Sequence, residues 1–409
     1  MLRSKIFISV AALAVLLCCA LAYAIYAESS GSFASLRQVY ALGPCTKIEK
    51  EDMQTECVFR VIDKELRDNG SVAAFASFAH AYEMFPAFVA AGCHRHAHRL
   101  GDMTYYGLYV GEEDLDAIDF PEETTACGYG FYHGFLEHLI QDRPESNFVT
   151  QTCEYLTKRL SGQMRDIQLT CYHGSGHGFI LAQSEKVPKD RWGDLHAFTD
   201  VPVRQCDELP KATASDIEQC KEGVFNVIVD WMAINQYGFS YNSKTPFVIC
   251  DSVILSSRRA CYYEMAQKLD YASERDPVRM ERITNQISDT SLRLMAFQVG
   301  IAGLVQNIIV QHGEEDIITK CATLNESTRE ACIEAVVHGL FEHGMPQEEF
   351  QRPLELCALS SIQNTGKQSF CYATIVNHLK RFYTPERSLE LCKKFPTDFR
   401  EACEQKIGS

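Results

Sequence analysis

The sequence predicts an all-α protein, a disulfide-stapled, solenoid-like array of helix-turn-helix repeats in two tandem copies of one unit. Three observations predict this architecture. An apolar leader directs the chain out of the cytoplasm, the remaining cysteines fall into neighbouring pairs, and the cysteine spacing recurs after about 205 residues.

The first 27 residues have the features of an export signal. Two basic residues, Arg3 and Lys5, precede an apolar run that extends to Ala27 and ends in small residues suited to cleavage. The run is also long enough to cross a bilayer. We therefore expect residues 1–27 to be a signal peptide or a single N-terminal membrane anchor. The mature protein is then extracytoplasmic, either secreted, periplasmic or anchored by that helix.

The composition and the net charge of the chain disfavour some classes of binding partner. The hydrophobic fraction of 46% is ordinary for a soluble globular body, and no second long apolar run follows the leader. The net charge of −15 argues against nucleic acid and against anionic lipid surfaces, because both attract basic proteins.

Sixteen cysteines follow the leader, and an even number in an exported chain predicts disulfides. Structural zinc sites favour Cys-x2–4-Cys spacing, which is absent here, and the absence of CxxCH disfavours covalent haem attachment. Neighbour pairing uses every thiol once. The predicted pairs are Cys45–Cys57, Cys93–Cys127, Cys153–Cys171, Cys206–Cys220, Cys250–Cys261, Cys321–Cys332, Cys357–Cys371 and Cys392–Cys403.

The segments between cysteines have helical periodicity, as in the steps of four from Leu156 to Leu160 to Met164. Strand and hairpin signals are few. The recurring unit is a helix, a turn and a helix, with a disulfide near the turn. In architecture this pattern resembles disulfide-stapled Sel1-like and tetratricopeptide-like repeats. No sequence motif of those repeats is matched, so the resemblance implies nothing about activity.

The cysteine spacing indicates an internal duplication. Cys45 and Cys250 are 205 residues apart, and so are Cys127 and Cys332. Residues 127–138 (CGYGFYHGFLEH) and 332–343 (CIEAVVHGLFEH) share the pattern Cys-x5-His-Gly-x2-Glu-His at that offset. We place copy one at residues 40–245 and copy two at 246–409.

Copy one carries pairs of histidines four residues apart, a spacing at which one helix face presents two ligands to one metal ion. Each motif follows a cysteine of a predicted disulfide, which would fix the helix starts. The predicted metal ligands are His94, His98, His133, His173 and His177, with Glu137 beside them.

Copy two lacks most of these groups. Ala373 and Asn377 stand at the positions matching His173 and His177, and only His338, Glu342 and His343 persist. This difference favours one functional copy and one structural copy. A structural hydrogen bond explains the persisting His–Glu pairs equally well. The remaining histidines are interpreted as structural or surface residues: His80, His96, His196, His312 and His378.

Glycines interrupt the same segments, among them Gly130, Gly134, Gly174 and Gly176. A glycine inside a helix costs about 1 kcal/mol relative to alanine. Close backbone approach or room for a cofactor would offset that cost. Alternatively, residues 171–178 form a loop.

Imidazoles with one carboxylate suit zinc, copper or iron. Asp102 and nearby tyrosines (Tyr105, Tyr106, Tyr129, Tyr132 and Tyr172) are candidates to orient the ligands. HExxH, GxSxG and a P-loop are absent, which disfavours common metalloproteases, serine hydrolases and nucleotide enzymes. If the site is catalytic, Glu137 is the expected general base.

Two alternatives stay open. Non-covalent haem between two histidines would suit the aromatic residues of the same segments. In a different class of function, the protein is a non-catalytic scaffold whose helical surface binds a protein or peptide, and the histidines are incidental.

Overall fold

The computed structural model describes residues 40–85, 88, 92–110, 114–117, 120, 124, 127, 129–160, 167–308, 313–344 and 348–408. The predicted leader and His312 lie outside these ranges. Within them every regular element is a helix and no strand occurs, so the all-α prediction is confirmed. No described helix combines the length and apolarity needed to cross a bilayer.

The chain divides into two compact units. The smaller unit contains the described residues up to 88 and those between 114 and 120. Its helices are α1 (Glu51–Asn69) and α2 (Ser71–Met84), which pack on each other. Their interface contains Phe59, Phe78 and Phe88, and the Phe59 and Phe88 ring centroids are 5.6 Å apart.

The larger unit contains the described residues of 92–110 and those from 124 onward. Its helices are α3 (Cys93–Thr104), α4 (Gly130–Asp142), α5 (Ser146–Leu160), α6 (Ile167–Ser184), α7 (Leu195–Asp207), α8 (Ala214–Ala233), α9 (Val248–Ser252), α10 (Arg258–Ala266), α11 (Leu269–Ala272), α12 (Pro277–Thr284), α13 (Thr290–Ile308), α14 (Glu314–Cys321), α15 (Glu326–His343), α16 (Gln351–Ala358), α17 (Ser360–Asn364), α18 (Gln368–Phe382), α19 (Pro385–Cys392) and α20 (Thr397–Gly408).

Eight helices of this unit pack in succession, each against the next: α3, α4, α6, α8, α10, α13, α15 and α18. All eight contribute side chains to a cavity of about 530 Å³. Several of the other helices pack behind them, such as α5 on α6, α14 on α15 and α16 on α18. The repeat and the duplication stay predictions from the sequence.

Polar residues fix where several helices begin. The Asp194 carboxylate accepts hydrogen bonds from the first backbone amides of α7, and Asn325 caps α15 in the same way. Thr213 and Asp216 form a reciprocal capping box at α8. Two of these caps, on α8 and α15, fix where helices that line the cavity begin.

The sixteen cysteines form eight disulfides with Cα–Cα distances of 5.2–5.8 Å, ordinary values for this bond. The pairs are the neighbour pairs expected from the sequence. Most join one helix to the helix that follows it, as Cys153 on α5 is joined to Cys171 on α6. So many disulfides indicate an oxidising, extracytoplasmic environment.

Candidate metal centre

Glycines allow the helices of the site to approach closely. A Cβ atom at Gly134 on α4 would lie 2.0 Å from the backbone oxygen of His98 on α3, so no larger residue fits there. A Cβ atom at Gly176 on α6 would meet the backbone oxygen of Cys220 on α8 at 2.0 Å. Close backbone contact therefore explains these helical glycines. Residues 171–178 belong to α6 and do not form a loop.

Two imidazoles from neighbouring helices converge on one carboxylate. His98 on α3 places Nε2 3.2 Å from Oε2 of Glu137 on α4, and His177 on α6 places Nδ1 3.2 Å from the same oxygen. One donor atom from each of the three residues lies within 4.8 Å of the other two. His177 is only 3% exposed, and its Nε2 has no hydrogen-bond partner. The geometry is suited to a metal ion held by two imidazoles and one carboxylate.

A second group of possible metal ligands also includes Glu137. Asp102, Glu137 and His138 also bring donor atoms within 4.8 Å of one another. The Oδ1 atom of Asp102 lies 3.5 Å from both His98 Nδ1 and His138 Nε2. The Tyr106 hydroxyl lies 3.0 Å from His138 Nδ1. Asp102 lies behind His98 as an ion-pair partner, the side from which carboxylates commonly support metal-binding histidines.

His94 and His133 form a directional chain of hydrogen bonds. His94 Nδ1 lies 3.0 Å from the backbone oxygen of Cys127, which can only accept, so this nitrogen carries the proton. A neutral His94 then accepts at Nε2 from His133 Nδ1, 3.1 Å away. This arrangement leaves a lone pair on Nε2 of His133. Cys127, joined to Cys93, and Tyr129 both take a φ of 61°, which is uncommon for these residue types and sets the start of α4.

His173 completes the histidine cluster. Its ring centroid lies 4.7 Å from that of His133 and 5.0 Å from that of His177. His94, His133 and His173 line the cavity. The structure therefore brings all five predicted histidines and Glu137 together, with one side of the cluster on the cavity.

The charges of these groups differ sharply. Burial disfavours a charged His98, but the Glu137 and Asp102 carboxylates outweigh it and raise its pKa to about 10. Burial likewise disfavours an ionised Glu137, yet His98 and His177 hold its pKa well below the ordinary range. Burial and then the neighbouring imidazoles lower the pKa of His133 and of His173 well below the usual value. The centre thus contains an ionised carboxylate with His98 charged, and neutral imidazoles on the cavity side.

For His94, burial and the adjacent His98 lower the pKa to about 4, despite the hydrogen bond to Cys127. The pKa of His138 is instead raised, because the Asp102 and Glu137 carboxylates outweigh the effect of burial. A neutral His94 is what the directional hydrogen-bond chain requires.

Two acids that the sequence interpretation missed face the same cavity. Glu222 on α8 and Glu264 on α10 bring donor atoms within 4.8 Å of one another and of His173. Burial raises the pKa of Glu222 to about 7 and that of Glu264 well above the ordinary value. No histidine or motif adjoins either residue in the sequence. Only their burial, which the sequence does not show, distinguishes them from surface acids.

Helices α15 and α18 place a different cluster on the cavity. His338 Nε2 bonds to Glu342 Oε1 at 3.0 Å, and the rings of His338 and His378 are stacked with centroids 5.1 Å apart. Burial and His338 lower the pKa of His378 to about 3. His378, expected to be a plain structural or surface residue, is thus half-buried on the cavity wall.

The other histidines lie outside the cluster. His80 and His196 bond to acids on their own helices at 3.0 Å, and His96 is buried. Among the tyrosines expected to support the site, Tyr106 contacts His138 and Tyr129 lines the cavity, whereas Tyr105 bonds to Asp142 and Tyr132 to Thr124. His138 and Asp102 lie in the centre beside Glu137, although the helical spacing had not placed them among the predicted ligands.

Compared with known proteins, the chain matches no family model, no curated protein and no solved structure. The function must therefore be inferred from the site itself.

Proposed function

We propose that this chain is an extracytoplasmic metalloprotein in which His98, Glu137 and His177 bind one transition-metal ion. The observation that carries the proposal is the convergence of these three donors from three different helices within 4.8 Å. Two imidazoles and one carboxylate suit zinc or iron, with copper as a further candidate. Such a set leaves coordination positions open, as catalytic sites do.

The burial of these donors favours a bound metal ion over a network of hydrogen bonds alone. His177 is 3% exposed, so a metal ion would satisfy polar groups that water hardly reaches. Asp102 behind His98 supplies the outer carboxylate that metal-binding histidines usually have. The glycine contacts hold α3 against α4 and fix the ligands at short range.

The cavity suggests a catalytic use for the ion. His133 and His173 stand between the centre and the cavity, which is large enough for a small substrate. A metal ion here would act as a Lewis acid or activate water. A carboxylate with so low a pKa is a weak base, so we assign Glu137 to the ligand set in preference to the general-base role.

The proposed location is outside the cytoplasm, reached through the leader at residues 1–27. The disulfides support an oxidising compartment. Whether the leader is removed or retained as an anchor does not alter the metal proposal.

The test is elemental mass spectrometry on untagged protein made in an oxidising compartment and reconstituted separately with zinc, iron and copper. A His98→Ala/His177→Ala variant is compared with the parent. The matched control is His338→Ala/His378→Ala, a stacked pair from the other wall of the cavity.

We expect the first variant to bind one ion per chain fewer than the parent, and the control to bind as many as the parent. Circular dichroism checks that each variant is folded. Equal metal content in all three folded proteins, or none in any, would refute the proposal. The scaffold hypothesis would then be the better account, with a protein or peptide as partner.

A further inference from the structure

A second group of potential ligands lies on the cavity wall, apart from the centre at Glu137. His173 on α6, Glu222 on α8 and Glu264 on α10 present donor atoms within 4.8 Å of one another. All three residues line the cavity. Three consecutive packed helices thus place one imidazole and two carboxylates around one point.

Glu264 is the informative member of the group. It is 0% exposed, and one of its oxygens, Oε1, has no hydrogen-bond partner. The other oxygen accepts from the side-chain amides of Asn226 at 2.6 Å and Gln267 at 2.7 Å. The carboxylate is therefore held in one orientation, with a free, water-deprived oxygen that a cation would satisfy.

Glu222 is held in a similar way. It is 2% exposed and accepts hydrogen bonds from Gln219 and from Arg259, whose Nη1 lies 2.7 Å from Oε1. Arg259 is the one cation bonded to this pair of glutamates among the described residues. Lys268, which also faces the cavity, bonds to Asp230 instead. The guanidinium also bonds to Glu218, so it cannot by itself balance Glu222 and Glu264 when both are ionised, and a divalent cation would supply the missing charge.

We propose that His173, Glu222 and Glu264 form a second divalent-cation site that opens onto the cavity. Two carboxylates and one imidazole suit an ion between the oxygen-preferring and nitrogen-preferring metals, such as Mn²⁺ or Fe²⁺. The amides of Asn226 and Gln267 and the guanidinium of Arg259 serve as the outer partners that orient the ligands. The proposal does not rest on the first centre, since the two ligand sets share no residue.

The experiment is titration with Mn²⁺, followed by electron paramagnetic resonance and calorimetry, in the His98→Ala/His177→Ala background. That background removes the first centre, so the two proposals can fail separately. Glu222→Gln and Glu264→Gln are added one at a time. The matched control is Glu334→Gln, which alters another cavity carboxylate, bonded to Gln298 at 2.9 Å.

We expect one Mn²⁺ per chain in the background protein. Each of the two glutamine variants should lose at least about 100-fold in affinity, since loss of an outer partner alone costs 10–100-fold. The Glu334 variant should bind like the background protein. Melting followed by circular dichroism confirms folding, and if Glu264→Gln does not fold, Glu222→Gln and His173→Asn provide the test.

Unchanged Mn²⁺ affinity in folded Glu222→Gln and Glu264→Gln would overturn the proposal. So would the absence of binding in the background protein at millimolar Mn²⁺. In either case the two glutamates would be a buried acid pair that shares a proton.

Discussion

The pattern Cys-x5-His-Gly-x2-Glu-His occurs twice, once in α4 together with the turn before it and once within α15, and the two copies have different surroundings. On α4, Glu137 turns to imidazoles of two other helices, His98 and His177, each 3.2 Å away. On α15, Glu342 bonds to His338 of its own helix at 3.0 Å. The shared motif therefore does not define the centre. The neighbouring helices define it by supplying or lacking partners.

The two motif carboxylates, Glu342 and Glu137, also differ in the charged groups that surround them. Although burial raises the pKa of Glu342, His338 and then Arg381 hold it below the ordinary range. One of these partners is a permanent cation, so the carboxylate is balanced without a metal. Among the described residues, the side chains paired with Glu137 are the imidazoles of His98, His138 and His177. An imidazole can exchange its proton for a metal ion, whereas a guanidinium cannot.

We expect the largest difference between the two motifs when Glu137 and Glu342 are each replaced by glutamine. Glu137→Gln should weaken metal binding at the first centre by at least about 100-fold, because outer partners alone are worth 10–100-fold. It should also destabilise the metal-free protein by about 3 kcal/mol, since the buried, charged His98 loses the closer of its two carboxylates. Calorimetric metal titration and urea unfolding measure the two effects.

Glu342→Gln is the matched control and should leave metal affinity at the first centre within about two-fold of the parent. The prediction is contradicted if Glu342→Gln loses the ion and Glu137→Gln retains it. The centre would then lie on the second motif.

The two motif glycines offer a smaller, purely steric comparison. Gly134→Ala forces a Cβ to within 2.0 Å of the His98 backbone oxygen, whereas Gly339→Ala brings one to within 2.8 Å of the Ala302 oxygen. We expect a loss of roughly 3 kcal/mol or more for Gly134→Ala and of about 1–2 kcal/mol for Gly339→Ala, as is usual for overpacking. Urea unfolding measures both.

Because Gly134→Ala pushes α3 away from α4, it should also reduce metal content. Equal stability losses in the two variants, with unchanged metal content, would show that the close approach of α3 to α4 does not position the ligands.

The disulfides before the two motifs provide a third comparison. Cys93–Cys127 joins the start of α3 to the turn before α4, while Cys321–Cys332 joins α14 to α15. Replacing either pair by alanine should cost about 2–4 kcal/mol, as loop closure predicts. The loss of Cys93–Cys127 alone should also reduce metal affinity about 10-fold, because it releases the start of α3, the helix that carries His98.

The readouts are thermal unfolding and metal titration of both double variants. A similar loss of affinity in Cys321→Ala/Cys332→Ala would mean that general stability, and not ligand position, sets the affinity.

The sequence predicted much of this site because its signals are local. Helical spacing of four placed His94 with His98 and His173 with His177, and each pair does lie on one helix. The cysteine spacing gave neighbour pairs because most disulfides join helices adjacent in the chain. The all-α class followed from the same periodicity.

The remaining features depend on tertiary packing. Glu222 and Glu264 resemble surface acids in the sequence, and only the packing of α8 against α10 brings them to His173. The different partners of Glu137 and Glu342 likewise arise between helices. The helical glycines indicated close packing but not its location, since a glycine does not reveal which backbone it meets.

The last comparison concerns pH, because the pKa is raised for His98 in one cluster and lowered for His378 in the other. The folded pKa of His98 is about 10, above the ordinary 6.5 expected in the unfolded chain. Its stabilising contribution is therefore complete below pH 6.5 and is lost as the pH rises towards 10. In metal-free protein, the free energy of unfolding should fall by roughly 2 kcal/mol between pH 7 and 9, measured by urea unfolding.

His98→Asn should flatten this pH dependence, and His378→Asn should preserve it. The pKa of His378 is about 3, so this residue is neutral in the folded protein throughout that range and exchanges few protons on unfolding. A slope that survives in His98→Asn would assign the titration to another group, with His138 the next candidate because its pKa is also raised. A slope lost in His378→Asn would move the titrating cluster to α18 and contradict the division between the two motifs.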